Sequence, residues 1–341
     1  MKQITKPYHA VITADLHYTS AFQNEKHAAD MDEVTAEIIS RCSRENADAL
    51  LICGDLTNGN SKDMRHLACQ LHHLAESCTL VIVPGNHDFQ RCSKEEFESI
   101  FFPLLRIDLK DESSLSYACI DGNIMYLAMD DSSSRKTGGY LSEATVRWLE
   151  GCLQYADSHQ LTPVFLSHHS LFADPWMKDP SLYVIKADGV ISLLQRYNVR
   201  LAFSGHQHVS LMRNRCGITE CIVPIPSSGT HRIGSLEISD TEAFYTTASL
   251  NLLSAKWTEH DRYTLEQRRK NLKALMDEPL AEAVCRWYSA LDHTGIHEID
   301  AAYQSEEMKQ ALQAAAGSLL EKWIRFVSEE KQCPEEIRTL L

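Results

Sequence analysis

Five apolar runs in this 341-residue chain each lead into side chains of the kind that bind divalent metals. The run AVITADLH ends in Asp15 and His17, and LLICGDLTNG carries Asp55. LVIVPGNHD supplies Asn86 and His87, VFLSHH supplies His168 and His169, and LAFSGHQH supplies His206 and His208. Carboxylates, an amide oxygen and imidazoles suit borderline divalent ions rather than the soft ions that thiolates take. Asp15-x-His17 and His206-x-His208 place two ligands on one side of an extended segment, or let neighbours straddle two ions. Asp55 has two oxygens and can bridge such a pair, and two ions ~3.5–4 Å apart are the usual arrangement for hydrolysing phosphate esters. A single Asp-x-His is ordinary surface chemistry; the joint pattern is what points to a site.

Residues this far apart in sequence need a fold that gathers them. Val11–Ala14, Leu50–Cys53 and Leu80–Val83 read as strands. The helix-spaced apolar positions Met31, Val34, Ile38 and Cys42 (within 26–47) and Met64, Leu67, Leu71 and Leu74 lie between them. This β-α-β-α-β order predicts parallel strands, whose carboxyl ends are where α/β sheets form ligand sites. Next, 116–120 and 124–129 flank Asp121-Gly122-Asn123, a hairpin signal. A helix over 142–155, strands at 163–167 and 199–204 around a helix near 184–197, and strands at 221–225 and 234–247 complete a mixed core. After about residue 250 the strand signal stops, and 261–276, 280–291 and 301–328 read as helices punctuated by Pro279, Gly295 and Pro334. The expected organisation is a domain over 1–250 and a C-terminal helical cap or dimerisation region over 251–341, through which a homo-oligomer could form.

With these strand contexts, the series DxH, GD, GNHD, H and GHxH resembles the calcineurin-like metallophosphoesterase superfamily over roughly the first 240 residues. The resemblance implies an α/β fold, a four-layer α/β/β/α sandwich of two mixed sheets flanked by helices, here with a C-terminal helical extension. It implies a first metal held by Asp15, His17, Asp55 and His208, and a second held by Asp55, Asn86, His168 and His206. The ions would be two divalent or trivalent metals drawn from Mn, Fe, Zn and Mg. A metal-bridging hydroxide would attack a small-molecule phosphate ester, with His87 near the leaving group as the catalytic residue rather than a metal ligand. The chain is more similar to the bacterial branch with cyclic-nucleotide and glycerophosphodiester phosphodiesterases than to the protein phosphatases. Those continue Gly-Asp with an acidic-Arg-Gly sequence and carry GNHE, where this chain has Gly54–Gly59 and Asp88. Phosphodiesters are thus the expected substrates; a phosphomonoesterase, a DNA-end nuclease and a non-enzymatic scaffold are the alternatives.

Two departures stand out. Relatives acting on diesters often carry His-His-Pro-Pro where this chain has His168-His169-Ser170-Leu171, and many have an acidic residue at the place of Asn58. A carboxylate tuning His87 would then have to be Asp88 or Asp130. His169 is read as either a substrate contact or a structural residue, Arg135 as a candidate phosphate clamp, Gly138-Gly139 as a turn, and His66, His72 and His73 as solvated.

Composition bounds the rest. With 33 Lys and Arg against 47 Asp and Glu, the net charge of −14 opposes attraction to nucleic acid or an anionic membrane. No apolar run approaches the ~20 residues needed to cross a bilayer. The 11 cysteines form no CxxC pair, and the amino end lacks a signal-like apolar stretch, so free thiols in a reducing cytoplasm are expected.

Overall fold

The computed structural model describes residues 7–20, 30–132, 138–173, 187–227, 231–254, 256–293, 302–329 and 336–341. Two mixed sheets lie face to face. The first contains β1 (Tyr8–Thr13), β2 (Ala49–Cys53), β3 (Thr79–Val83), β11 (Arg232–Ile238), β12 (Glu242–Ser249) and β13 (Glu336–Leu340), in the order β13-β12-β11-β1-β2-β3. The second contains β4 (Leu109–Lys110), β5 (Tyr117–Asp121), β6 (Ile124–Ala128), β7 (Thr162–Leu166), β8 (Leu201–Ser204), β9 (Leu211–Arg215) and β10 (Ile218–Ile222), in the order β4-β5-β6-β7-β8-β10-β9. Strands β1, β2 and β3 are parallel, as are β6, β7, β8 and β10.

Strands β2, β3, β6 and β8 are almost wholly apolar because both faces are covered. Leu50 and Ile52 of β2 face outward onto helices α1 (Met31–Glu45), α2 (Ser61–His72) and α3 (Lys94–Phe101), whereas Ala49, Leu51 and Cys53 face the other sheet. Between the sheets, Leu51 and Val81 share a layer with Tyr126, Val164 and Phe203. Helices α4 (Glu143–Ser158) and α5 (Asp188–Arg196) cover the far side of the second sheet. The four layers expected from the sequence are therefore present. Side chains of Asp30, Asn60, Ser93 and Ser142 accept backbone N–H bonds and cap α1 to α4.

A separate apolar cluster joins the C-terminal helices α6 (Lys256–Lys273), α7 (Glu278–His293), α8 (Glu306–Ala314) and α9 (Leu319–Glu329) to Leu211 and Ile222 of the second sheet. Several details differ from the sequence reading, among them strands β4 and β9, which it did not contain. The single helix expected over 301–328 is two, parted at Gly317, whose φ of 80° a helix does not accommodate. The segment 234–247 is two strands joined at Ser239-Asp240-Thr241. Strand structure also returns after residue 250: β13 pairs antiparallel with β12 at the sheet edge, where alternating exposure lets Glu336 and Arg338 face solvent. The start of the first expected helix, 26–29, lies outside the described residues.

Trp287 is fully buried at the centre of the helical cluster, and its indole N–H donates to Ser328 Oγ at 2.9 Å. Trp287→Ala is expected to cost about 3–5 kcal/mol in denaturant unfolding; a cost below about 1 kcal/mol would contradict this packing.

Candidate metal centre

The loops that leave β1, β2, β3, β7 and β8 meet at one end of the two sheets, so the parallel strands of both deliver their carboxyl ends to the same place. The chain turns there at unusual cost. Asp15, His17, Asp55, His206 and His208 all have positive φ, between 45° and 67°. Such non-glycine conformations cost of order 1–3 kcal/mol each and persist only where the surroundings enforce them. Backbone bonds between loops do so: the N–H groups of Asp15, His17 and Tyr18 donate to Gly54, Asp55 and Leu56 at 2.9, 2.9 and 2.8 Å. The N–H of Gly205 donates to His168 O at 3.0 Å. Two glycines are required for the approach. A Cβ on Gly54 would lie 2.2 Å from His168 Nδ1, and one on Gly85 would lie 2.1 Å from Asp55 Oδ1.

All seven expected ligands are brought together, in two groups that share Asp55. In one, His17 Nε2 lies 3.3 Å from His208 Nε2 and 3.8 Å from Asp55 Oδ2, and His208 Nε2 lies 3.4 Å from Asp15 Oδ1. In the other, His168 Nε2 lies 3.1 Å from Asn86 Oδ1, 3.3 Å from Asp55 Oδ2 and 3.2 Å from His206 Nδ1. The sets Asp15/His17/His208 and Asp15/Asp55/His168 each have donor atoms close enough to hold one ion. Borderline nitrogen and hard oxygen donors converging in this way fit divalent metal binding. The site is graded in exposure: Asp15, Asp55 and His168 are buried, while the His208 side chain is 44% exposed. The His17 and His208 side is therefore the approach from solvent.

Secondary contacts orient these donors. His168 Nδ1 lies 3.0 Å from Cys53 O and donates to it, which turns Nε2 towards Asp55. Asn58 Oδ1 lies 3.0 Å from His17 Nδ1 and accepts from it, with the same consequence. The N–H of His206 donates to Asp15 Oδ2 at 2.9 Å. Charges crowd accordingly. Burial raises the Asp55 carboxyl, but His168, His17 and His87 outweigh it and hold Asp55 well below the usual carboxylate range. Burial lowers His168, yet Asp55, Asp15 and Asp131 drive it up to about 10. His206 is pushed down to about 3 by burial and by the neighbouring His168 and His169.

Other expectations are corrected at His87 and met at the surface histidines. Neither Asp88 nor Asp130 is the partner found at the His87 ring: Gln90 Nε2 is at 2.9 Å from Nδ1. Asp88 instead accepts from the N–H groups of Leu56, Thr57 and Gly85, tying two ligand loops together. Asp130 pairs with Lys94 and accepts from the N–H of Leu115. His169 is fully buried, with Nδ1 3.3 Å from Asp131 Oδ2 and its ring 4.4 Å from that of His206, so it packs behind the site. His66, His72 and His73 are exposed, His66 lying against Tyr18 Oη at 3.2 Å. Arg135 lies outside the described residues. Sequence reasoning missed Asn58 as an orienting group and missed Gln90. It also missed the buried Arg213–Glu220 pair at 2.7 Å, which binds the N–H of Leu171 and the carbonyl of Phe172 just beyond His169.

A two-sheet sandwich with this ring of carboxylate and histidine donors defines a metal-dependent hydrolase. The chain belongs to the calcineurin-like phosphoesterase family, whose model matches residues 8–210, and is a hydrolase acting on ester bonds. It is 29% identical to "Glycerophosphodiester phosphodiesterase GpdQ" of Enterobacter lignolyticus over 57% of this chain and 69% of that protein. It is 26% identical to a "Probable cyclic nucleotide phosphodiesterase" of Vesicomyosocius okutanii, over 56% of this chain and 75% of that one. Among solved structures, a dimetal phosphatase from Danio rerio superposes with a TM-score of 0.55 at 14% identity, over 72% of this chain and 97% of that one, and so shares the fold.

Two outcomes are expected. Gly85→Ala displaces Asp55 and lowers metal affinity by about 10–100-fold in calorimetric titration. Because His168 holds a proton below about 10 in the metal-free protein and must lose it to ligate through Nε2, metal binding releases protons and tightens as pH rises towards that value. Titrations in buffers of different ionisation enthalpy check this; metal uptake without proton release would contradict it.

Proposed function

We propose that the chain is a dinuclear metal-dependent phosphodiesterase acting on small-molecule phosphate esters. The observation that carries this reading is the single carboxylate, Asp55, set between two donor groups. Asp15, His17, Asp55 and His208 would hold one ion, and Asp55, Asn86, His168 and His206 the other. Bound there, Mn, Fe, Zn or Mg ions supply Lewis acidity to the phosphoryl oxygens and acidify water near neutral pH.

The chain's own residues do the remaining work. Asp55 is placed by the N–H of His87, which donates to its Oδ1 at 2.8 Å, while Oδ2 faces His168. His87 stands edge-on to His17, ring centroids 4.8 Å apart, on the solvent-facing side where a leaving group would depart. The buried Asp15 and His168 exclude water from the back of the site. Diester preference is supported by the names of the two relatives, a glycerophosphodiester phosphodiesterase and a probable cyclic nucleotide phosphodiesterase. The net charge of −14 supports a small substrate over a polynucleotide. The helices beyond residue 250 would flank the entrance, since Val209, beside His208, packs on their cluster. Free thiols at all ten described cysteines suit a reducing compartment such as the cytoplasm.

With manganese added, hydrolysis of bis(p-nitrophenyl) phosphate is expected to exceed that of p-nitrophenyl phosphate and to vanish on chelation. Asp55→Asn is expected to lower turnover at least about 100-fold with the fold retained by circular dichroism. Faster monoester turnover would make the protein a phosphomonoesterase, and full activity of Asp55→Asn would overturn the dinuclear reading.

A further inference from the structure

At three site histidines, His17, His87 and His168, the polarity of the partner at Nδ1 decides whether that nitrogen carries hydrogen. Cys53 O and Asn58 Oδ1 can only accept, so His168 and His17 carry a hydrogen on Nδ1 and turn Nε2 towards the site. His87 has the opposite partner. The atom 2.9 Å from its Nδ1 is Nε2 of Gln90, an amide nitrogen with hydrogens to give and no lone pair to offer. Nδ1 of His87 therefore accepts, and the ring hydrogen sits on Nε2.

This difference bears on what His87 can do. One of its ring nitrogens is close enough to His17 and Asp55 to complete a metal-binding group, so position alone would admit it as a ligand. With Nδ1 engaged by Gln90, the nitrogen left for the site is Nε2, and a nitrogen bearing hydrogen has no lone pair for a metal. We propose that Gln90 is a positioning residue which, by donating to His87 Nδ1, removes His87 from the ligand set and makes its Nε2–H a hydrogen-bond donor to a substrate oxygen gaining negative charge. Such a donor stabilises the charge of the leaving oxygen without giving up its hydrogen, as a neutral imidazole electrophile does. The local backbone supports the arrangement: the N–H of Gln90 donates to His87 O at 3.1 Å, closing the turn that carries both side chains. The neighbouring Asp88 is fully buried and bonded to three backbone N–H groups, so it anchors that turn.

The inference rests on the phosphodiesterase reading for the substrate oxygen, but its central point can be read without substrate. In the zinc-loaded full chain, nitrogen-15 spectra of the His87 ring should show a protonated Nε2 and a lone pair at Nδ1, and Gln90→Glu should move protonation onto Nδ1. Kinetically, Gln90→Glu and Gln90→Leu should lower kcat about 10-fold for a dialkyl phosphate, whose leaving alkoxide is strongly basic, with KM changed less than about threefold. The loss should be smaller for bis(p-nitrophenyl) phosphate, because p-nitrophenolate needs little stabilisation. A merely structural role would depress both substrates alike. A wild-type His87 with its hydrogen on Nδ1, or a Gln90→Glu protein with an unchanged ring spectrum, would overturn the proposal. A wild-type protein inert towards every phosphodiester would overturn the functional reading instead, while the ring spectrum still decides the role of Gln90.

Discussion

The structure depends on placing one ionised carboxylate, Asp55, where two sheets meet with almost no access to water. Burying a lone carboxylate costs far more than a domain can absorb, so its surroundings must supply compensating groups. They do so from both sheets: the N–H of His87 comes from the loop after β3, and the His168 imidazole comes from the loop after β7. The backbone of Gly85 presses so close that no side chain is tolerated there. Asp88 completes the arrangement from below, holding the Asp55 and Asn86 loops in register through backbone bonds. Metal binding would resolve the same problem by replacing the proton held between His168 and Asp55 with a cation.

The strain of the site follows from that geometry. Two ligands one residue apart, as in Asp15-x-His17 and His206-x-His208, normally require an extended strand, yet each pair must turn back on itself beside the other sheet. Positive φ at all four residues achieves the turn. It is affordable because the strands entering it are fully buried in a core of Ile12, Leu51, Val81 and Phe203, which cannot yield to relieve four residues. Rigid sheets and strained loop tips thus belong to one design, in which the core's packing is converted into fixed ligand positions.

How much was legible in the sequence follows the same division. The ligand runs were readable because strands buried on both faces are continuous apolar words, and each ended in polar residues that no core would otherwise hold. Strand β9 was not readable. Its buried residue Arg213 is charged, and the cross-strand position opposite is Glu220, so apolar alternation fails where an ion pair replaces it. The partners at the histidine rings were equally hidden. Asn58 was visible as a departure from an acidic pattern, but only coordinates show that its oxygen meets His17 rather than His87. Gln90 carried no signal at all, because an exposed glutamine is ordinary at a protein surface. The split of the last long helix at Gly317 was foreseeable from glycine's cost within a helix and was outweighed by an uninterrupted apolar period.

The Arg213–Glu220 pair shows how the chain manages without the two prolines that often follow the paired histidines. Prolines would stiffen the segment beyond His169 by restricting φ. Ser170 and Leu171 impose no such restriction, and hydrogen bonds hold the segment instead. Glu220 accepts from the N–H of Leu171 at 2.6 Å and from Ser170 Oγ, while Arg213 donates to Phe172 O at 2.8 Å and packs near the Phe172 ring. A buried pair of this kind seldom adds net stability over apolar residues, but breaking one side leaves an uncompensated charge. Its worth therefore lies in position. Both residues sit on the β9–β10 hairpin, and the same hairpin offers Leu211 and Ile222 to the C-terminal helices. Arg213 and Glu220 lie on the same face of that hairpin as Leu211 and Ile222, so one face both fixes the loop of His168 and anchors the helical cluster, and a disturbance of either region reaches the other through it.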